Sequence, residues 1–263
     1  MTRPALLCAG AALSLAALTA CSPGADTADA SAPPPGTTAA SPAPSGVPAD
    51  PAAACAALPE MQTTVYPGGD PEAPPPTAEA LQSWASAVRP SFEAVAGNVP
   101  DDLADEIATL RTAVDGAGAG TPIDLADPSV QSASTALDGW AHGACGFTTL
   151  DVVNTGTELT GVPATLPAGP LSVSFRNDSP PDQAGFVALV AKLQDGATVT
   201  PEQVAGGEVE FESVVQSISA AQPGGDPVGY TTLTLTPGRY LVVTPLGGPP
   251  EFGALLATEF SVA

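Results

Sequence analysis

Residues 231–244 read TTLTLTPGRYLVVT, and this stretch decides the fold of the C-terminal half of the 263-residue chain. Leu233 and Leu235 alternate with threonines, and a second apolar run at residues 240–243 follows Pro237–Gly238. Alternation with a period of two is typical of a strand with one buried face, and Pro-Gly is a turn signal. The stretch therefore predicts two strands joined as a hairpin.

Segments on both sides of this stretch extend the β pattern over residues 148–263. Residues 171–175 alternate apolar and polar side chains, residues 185–193 form a longer and more apolar run, and residues 257–262 predict the last strand. Residues 200–203 (TPEQ) match a capping box and predict a short helix. The whole segment is predicted to be an all-β sandwich of about seven strands.

Three motifs in this segment together resemble a cupredoxin. They are a strand ending in Asn177-x-Ser179, the pattern Leu-x-Leu-x-Pro-Gly-x-Tyr at residues 233–240, and a terminal Thr-x-Phe-x-Val at residues 258–262. The resemblance implies a cupredoxin-like, Ig-like sandwich. In copper-binding members a histidine follows the asparagine turn, and a cysteine, a histidine and usually a methionine follow the Pro-Gly-x-Tyr turn.

The copper ligands that the resemblance implies are missing from this sequence. Thr244 stands where the cysteine is expected, and residues 245–255 contain no His, Cys or Met. The single histidine, His142, and Met61 both precede the β segment. We therefore expect no cofactor and no blue-copper site, and a sandwich that serves recognition or structure.

Residues 53–147 have the pattern of a small helical domain, so the fold class is predicted to be α+β in two domains. Apolar residues at three- and four-residue steps predict helices over 77–95, with Pro90 expected to kink or divide it, over 100–115 and over 128–142. The first helix buries a stripe of Leu81, Trp84, Val88, Phe92 and Val95. We interpret this region as a three-helix bundle.

Cys55 and Cys145 bracket the predicted bundle, and in an exported protein such a pair most often forms a disulfide. The alternative is a reactive Cys145 served by His142, three residues earlier. That alternative lacks an identifiable third partner.

The N-terminus has the features of a lipoprotein precursor. Arg3 is followed by an apolar stretch at residues 5–18, shorter than the roughly 20 residues that a membrane span needs. Leu18-Thr-Ala-Cys21 resembles the lipobox of bacterial lipoproteins. The resemblance implies a signal peptide at residues 1–20 and a diacylglyceryl group with palmitate on Cys21. The protein would then be lipid-anchored at the outer face of the cytoplasmic membrane; an ordinary secretory signal is the alternative.

Residues 21–52 are predicted to be a disordered tether. They consist almost entirely of Ala, Pro, Ser, Thr, Gly and Asp, with three successive prolines at 33–35. At about 3.1 Å per residue, a stiff tether of this kind reaches on the order of 90 Å. It would hold a domain away from a membrane.

The net charge of −22 excludes some classes of partner. Nucleic acid and anionic lipid both attract a basic face, which this chain lacks. Lys192 is the single lysine, while Ala, Gly and Pro abound. That composition resembles proteins of high-GC actinobacteria.

Signatures of an enzyme are poor, so a non-enzymatic role is predicted. A cluster of acids at residues 101–106 fits the solvated start of a helix, with a calcium site as the alternative, and Gly116–Gly120 lacks the residues of a phosphate loop. The first hypothesis is a binding or structural module of the cell envelope, whose partner is an envelope protein or a small ligand. The second is a metal-handling or redox-related protein on a degenerate cupredoxin scaffold.

Overall fold

The structure is a computed structural model that describes residues 49–68, 74–223, 227–248 and 251–263. The predicted signal peptide, Cys21 and the tether up to residue 48 lie outside the described residues. Val47–Ala263 form one compact unit. Within the described part of the chain, no helix is both long and apolar enough to cross a membrane.

The N-terminal part of this unit is helical. Side chains of Asp50, Thr77 and Asp127 cap three of the helices by accepting backbone N–H bonds at distances of 2.8–3.2 Å. The helices among the described residues of this region are α1 (Pro51–Thr63), α2 (Ala78–Ala96), α3 (Ala104–Gly118, after a 3-10 turn at Asp101–Leu103) and α4 (Pro128–Ala144).

The three predicted helices are present as α2, α3 and α4, but the prediction missed α1, which precedes them and begins inside the predicted tether. Pro51 occupies the first helical position, where its missing N–H leaves no bond unmade, and Asp50 accepts the N–H of Ala52 at 3.1 Å. Ala54 and Leu58 of α1 are fully buried in the helical core. Helix α2 runs without division through Pro90.

The predicted disulfide is confirmed. Cys55 of α1 is bonded to Cys145, the residue that caps α4, with a Cα–Cα distance of 5.2 Å. It closes the helical layer at the end where the chain enters the β region.

The β region contains two sheets, with strand orders β2-β1-β4-β7 and β3-β9-β8-β5-β6. Strands β1 and β4 pair in parallel, as do β3 and β9, and the other pairs are antiparallel. Short helices α5 (Pro201–Ala205, with the predicted capping box) and α6 (Phe211–Val214) lie between β5 and β6. The strands are β1 (Thr148–Asn154), β2 (Leu159–Thr160), β3 (Thr165–Leu166), β4 (Gly169–Asn177), β5 (Ala188–Leu193), β6 (Val215–Ala221), β7 (Val228–Leu235), β8 (Gly238–Gly248) and β9 (Glu251–Val262).

The predicted hairpin at Pro237–Gly238 was wrong. Strand β7 pairs with β4, whereas β8 pairs with β5 and β9, so the chain crosses from one sheet to the other at this point. The hydroxyl of Tyr240 fixes the crossing, because it accepts the N–H of Thr236 and donates to the carbonyl of Thr236, both at 3.0 Å. Gly238 has φ of +145°, and a Cβ there would lie 2.9 Å from the side chain of Lys192.

The layers follow from which faces are buried. The sandwich core lies between the two sheets, and a further apolar cluster lies where α5 and α6 cover the five-stranded sheet. On the opposite side, α1 and α4 pack against β7, and α4 also contacts β4. The helices and strands therefore share one compact unit, although the change from helix to strand falls at the predicted boundary near residue 148.

Candidate functional site

A groove of about 400 Å³ lies between the helical layer and the edge of the sandwich. Its helical wall comes from α1, α2, α3 and α4, and its β wall from residues 218–220 of β6 and Thr231 of β7. Among the described strands, β6 is the terminal strand of the five-stranded sheet. The groove therefore opens beside a sheet edge.

The rim of the groove is apolar and exposed. Val65, Leu125 and Ile218 line it and are 83%, 45% and 44% exposed, respectively. They are three of the four exposed large hydrophobic residues in the described part of the chain. Apolar side chains that gather around one concavity, instead of being scattered singly, are typical of a binding site.

Aromatic residues form a fixed wall inside the groove. The rings of Tyr66 and Trp84 meet edge to face with centroids 5.0 Å apart. Trp84 donates its indole N–H to the carbonyl of Thr64 at 3.0 Å, and the hydroxyl of Tyr66 accepts the N–H of Ile123 at 2.7 Å. Because both polar ends are held, the ring faces are positioned before any ligand arrives.

Asp138 of α4 lines the same groove, although its side chain is almost wholly buried. Burial raises the pKa of the Asp138 carboxyl from its ordinary value to about 7. The Thr232 hydroxyl and the Gln62 amide partly oppose this shift, but neither makes a short hydrogen bond to the carboxyl; the Gln62 bond is 3.4 Å long. The groove thus contains a carboxyl group with weak partners.

His142 lies one helical turn beyond Asp138, in a second polar cluster between α4 and the four-stranded sheet. Its Nδ1 is 3.0 Å from the Ser172 hydroxyl and its Nε2 is 3.2 Å from the Asp151 carboxylate. Its ring lies 5.4 Å from that of Tyr230. The residue types match a hydrolytic triad, but Ser172 is fully buried and the Asp151 side chain is 65% exposed. A nucleophile must reach its substrate and an orienting acid is normally buried, so the arrangement is reversed.

The end of the sandwich where the resemblance places copper ligands holds a network of amides. Asn177 accepts the N–H of Gly185 at 2.7 Å and donates to the carbonyl of Gly185 at 3.0 Å. Asn154 donates to the side-chain oxygen of Asn177 at 2.8 Å. A Cβ on Gly185 would come within 2.3 Å of the Thr244 hydroxyl, so the chain fills this space closely.

Most residues singled out in the sequence do not meet in one site. The acids at 101–106 lie at the start of α3, and Gly116–Gly120 lies at its end. Within the described residues, no group of three or more His, Cys, Asp or Glu side chains could hold a metal ion. Cys145 is bonded to Cys55, which rules out the reactive-thiol alternative in this structure.

The groove and Asp138 were not predicted from the sequence. One signal was present: Ser134, Asp138 and His142 recur at four-residue steps, which places three polar side chains along one line of α4 next to its apolar stripe. Such a line indicates a polar contact surface. The sequence does not indicate that this surface lies against a sheet.

Comparison with known proteins finds similarity in structure alone. No protein-family model matches the sequence, and no curated protein matches it. Auracyanin B is 13% identical with a TM-score of 0.27, and the match covers 44% of this chain and 88% of that chain. Auracyanin A, a "blue" copper protein from the green thermophilic photosynthetic bacterium Chloroflexus aurantiacus, is 17% identical with a TM-score of 0.27, covering 44% of this chain and 98% of that chain. At these TM-scores neither match assigns a fold or a residue role to this chain.

Proposed function

We propose that residues 49–263 form a non-enzymatic binding module, which a lipid on Cys21 holds at the outer face of a bacterial cytoplasmic membrane. The groove would take a small ligand or the apolar side chains of an envelope protein. The observation that carries the proposal is the exposed apolar rim formed by Val65, Leu125 and Ile218.

The size and order of the groove support binding. Its volume of about 400 Å³ falls in the range of about 300–1,000 Å³ that is typical of small-molecule sites. The fixed aromatic wall reduces the entropy that a ligand would lose on ordering the site. The neighbouring edge strand β6 offers main-chain donors and acceptors to an extended partner.

The reversed polar cluster supports a role without catalysis. Substrate cannot reach a hydroxyl that is covered by α4, and His142 instead joins the helical layer to the sheet through Ser172 and Asp151. We therefore assign these three residues to the docking of two layers.

The anchor is supported by the sequence around Cys21 and by the charge of the chain. A net charge of −22 opposes electrostatic adhesion to anionic lipid, so attachment would depend on the acyl chains. The tether at residues 21–52 would give the module reach from the membrane.

Site-specific photo-crosslinking in intact cells tests the binding role. A photoreactive amino acid at position 218 on the groove rim should yield one abundant adduct, either an envelope protein or a small ligand. The same amino acid at Ala108, which is exposed on α3 and does not line the groove, is the matched control. Identical adduct patterns at the two positions would contradict a role for the groove.

Metabolic labelling with radioactive palmitate tests the anchor. The Cys21→Ala variant should lose the label, whereas Cys8→Ala, which changes a cysteine in the apolar core of the signal peptide, should keep it. Continued labelling of the Cys21→Ala variant would rule out the lipidation site.

A further inference from the structure

The groove contains one acidic side chain in otherwise uncharged surroundings. Asp138 is the single Asp, Glu, Lys, Arg or His among the described residues that line it. Its side chain is more than nine-tenths buried, with a residue exposure of 7%. A buried carboxyl group of this kind needs hydrogen-bond donors, because unmet desolvation of a charge is costly.

The protein itself supplies those donors poorly. The Gln62 amide lies 3.4 Å from the carboxylate oxygen, which is long for a charge-assisted bond. The Thr232 hydroxyl is close enough to lower the pKa of the carboxyl, but it does not reach the geometry of a regular hydrogen bond with any described residue. An incoming ammonium group would bring three donors and a compensating positive charge. An incoming carboxylate would add a second negative charge.

The remaining lining suits an apolar body attached to such a cation. The rings of Tyr66, Trp84 and Phe92 line the groove, and aromatic faces attract ammonium groups as well as hydrocarbon. The net charge of −22 favours the approach of cations over anions throughout the surface.

We propose that the groove binds an amphiphilic cation, with its apolar body against the aromatic wall and rim and its ammonium group at Asp138. This inference rests on the proposed function and specifies the chemistry of the ligand. A neutral or anionic amphiphile of equal length fits the same volume but cannot pair with the carboxylate.

Calorimetric titration of the mature chain from residue 21, carrying Cys21→Ser so that no lipid is attached and no detergent is needed, tests the inference with three probes of equal length. These are hexylammonium, hexanol and hexanoate. Hexylammonium should bind at least about ten-fold more tightly than hexanol, as expected for a charge-assisted bond, and hexanoate should bind more weakly than either.

Two variants in the groove and one control outside it test whether the effect depends on Asp138. Asp138→Asn keeps the shape of the side chain and should bring the affinity ratio of hexylammonium to hexanol to about one. Asp102→Asn, in the exposed 3-10 turn before α3, should leave the ratio unchanged. Ser134→Lys places a competing ammonium one turn before Asp138 in the groove. It should lower the affinity for hexylammonium while Asp138 stays in place, which keeps the test valid if Asp138→Asn does not fold.

The outcomes separate this inference from the proposed function. Equal affinity for hexylammonium and hexanol in the unsubstituted chain, or an unchanged ratio in Asp138→Asn, would overturn the ammonium specificity and leave groove binding intact. Failure of all three probes combined with a specific adduct at position 218 would overturn the inference alone. Failure of the probes and of the crosslinking would overturn both.

Discussion

Asp138 carries a carboxyl group in buried surroundings that disfavour its charged form. Its carboxyl has a pKa of about 7 because burial disfavours the charged form. The protonated carboxyl is therefore favoured in the folded state over a wide range of pH in which the unfolded chain is ionised. Folding and titration of this residue are linked.

We predict that the free energy of unfolding falls as pH rises through this range. Since the folded pKa is raised from 3.8 to about 7, the contribution is fully present below about pH 4, is lost as pH approaches 7, and is constant above. The loss amounts to at most about 4 kcal/mol, at 1.36 kcal/mol for each pH unit. Urea unfolding of the Asp138→Asn variant should lack this slope, and Asp102→Asn should retain it.

Thr244 offers a second prediction, because its buried hydroxyl has no hydrogen-bond partner within the described residues. Thr244→Val replaces that hydroxyl with a methyl group and should raise the free energy of unfolding by about 1 kcal/mol. The control is Thr236→Val. The Thr236 hydroxyl accepts a hydrogen bond from the Lys192 ammonium at 2.8 Å, so this variant loses a bond and should not gain stability. An equal gain in both variants, measured by urea unfolding, would argue against this explanation.

Individual residues were predictable where their chemistry is local. Cys55 and Cys145 could be paired because few cysteines were available, and the disulfide is present. Asp138 could not be recognised, because an aspartate on a helix is ordinarily solvated and its burial depends on residues far away, such as Thr232 of β7.

At the scale of elements, helix boundaries followed the local signals and one strand connection did not. The predicted helix starts near residues 77 and 128 and the capping box at Thr200 agree with the structure. The segment 231–244 was predicted to be a hairpin because adjacent strands usually pair. The two strands in fact belong to different sheets. Their pairing depends on contacts with β4 and β5, which are distant in sequence, and the residues of the turn do not indicate it.

We predict that the Tyr240 hydroxyl, which lies where the chain crosses between the sheets, contributes measurably to the free energy of unfolding. Tyr240→Phe removes both bonds to the backbone of Thr236 while the ring keeps its stacking on Phe260, 5.1 Å away. We expect a loss of about 1–3 kcal/mol, because the backbone groups of Thr236 lose their partner. Tyr230→Phe, whose ring packs beside His142, is the matched control and should have a smaller effect in urea unfolding.

We predict that removing the disulfide lowers the free energy of unfolding by more than the loss of the Tyr240 hydroxyl does. Its bond spans a sequence separation of 90 residues, and loops of that size gain about 4–5 kcal/mol in the chain-entropy model and typically 2–4 kcal/mol in practice. The Cys55→Ser/Cys145→Ser double variant should lose stability in that range. Reducing agent should destabilise the unsubstituted chain by a similar amount and leave the double variant unchanged.

At the scale of the whole molecule, two segments predicted to be separate domains share one compact unit. The spacing of apolar residues indicated a buried core in each segment, but the face between the segments is polar and built from Asp138, His142, Ser172 and their neighbours. Sequence patterns identify apolar cores more readily than polar contacts. The groove arises from this contact, so it could not be predicted from either segment alone.

Because the helices and the sandwich form one compact unit, we predict that they unfold in a single transition. Both tryptophans, Trp84 and Trp140, lie in the helical layer, so their fluorescence reports on the helices, while far-UV circular dichroism reports on helices and strands together. The two urea curves should coincide, as expected for cooperative unfolding. A helical transition at a lower urea concentration would instead support independent domains.

The position of the disulfide has a mechanical consequence. A force applied through the N-terminal segment enters the unit at α1 and passes at Cys55 directly to Cys145, three residues before β1 begins. The helices between the two cysteines are therefore outside the path of the load. Stretching would extend the sandwich and leave the segment between the two cysteines folded. That segment has a contour length of roughly 300 Å, which cannot be extended as long as the disulfide is intact. Under reducing conditions the helices between the cysteines bear the force. The same force would then unfold these helices first and so open the groove that they line.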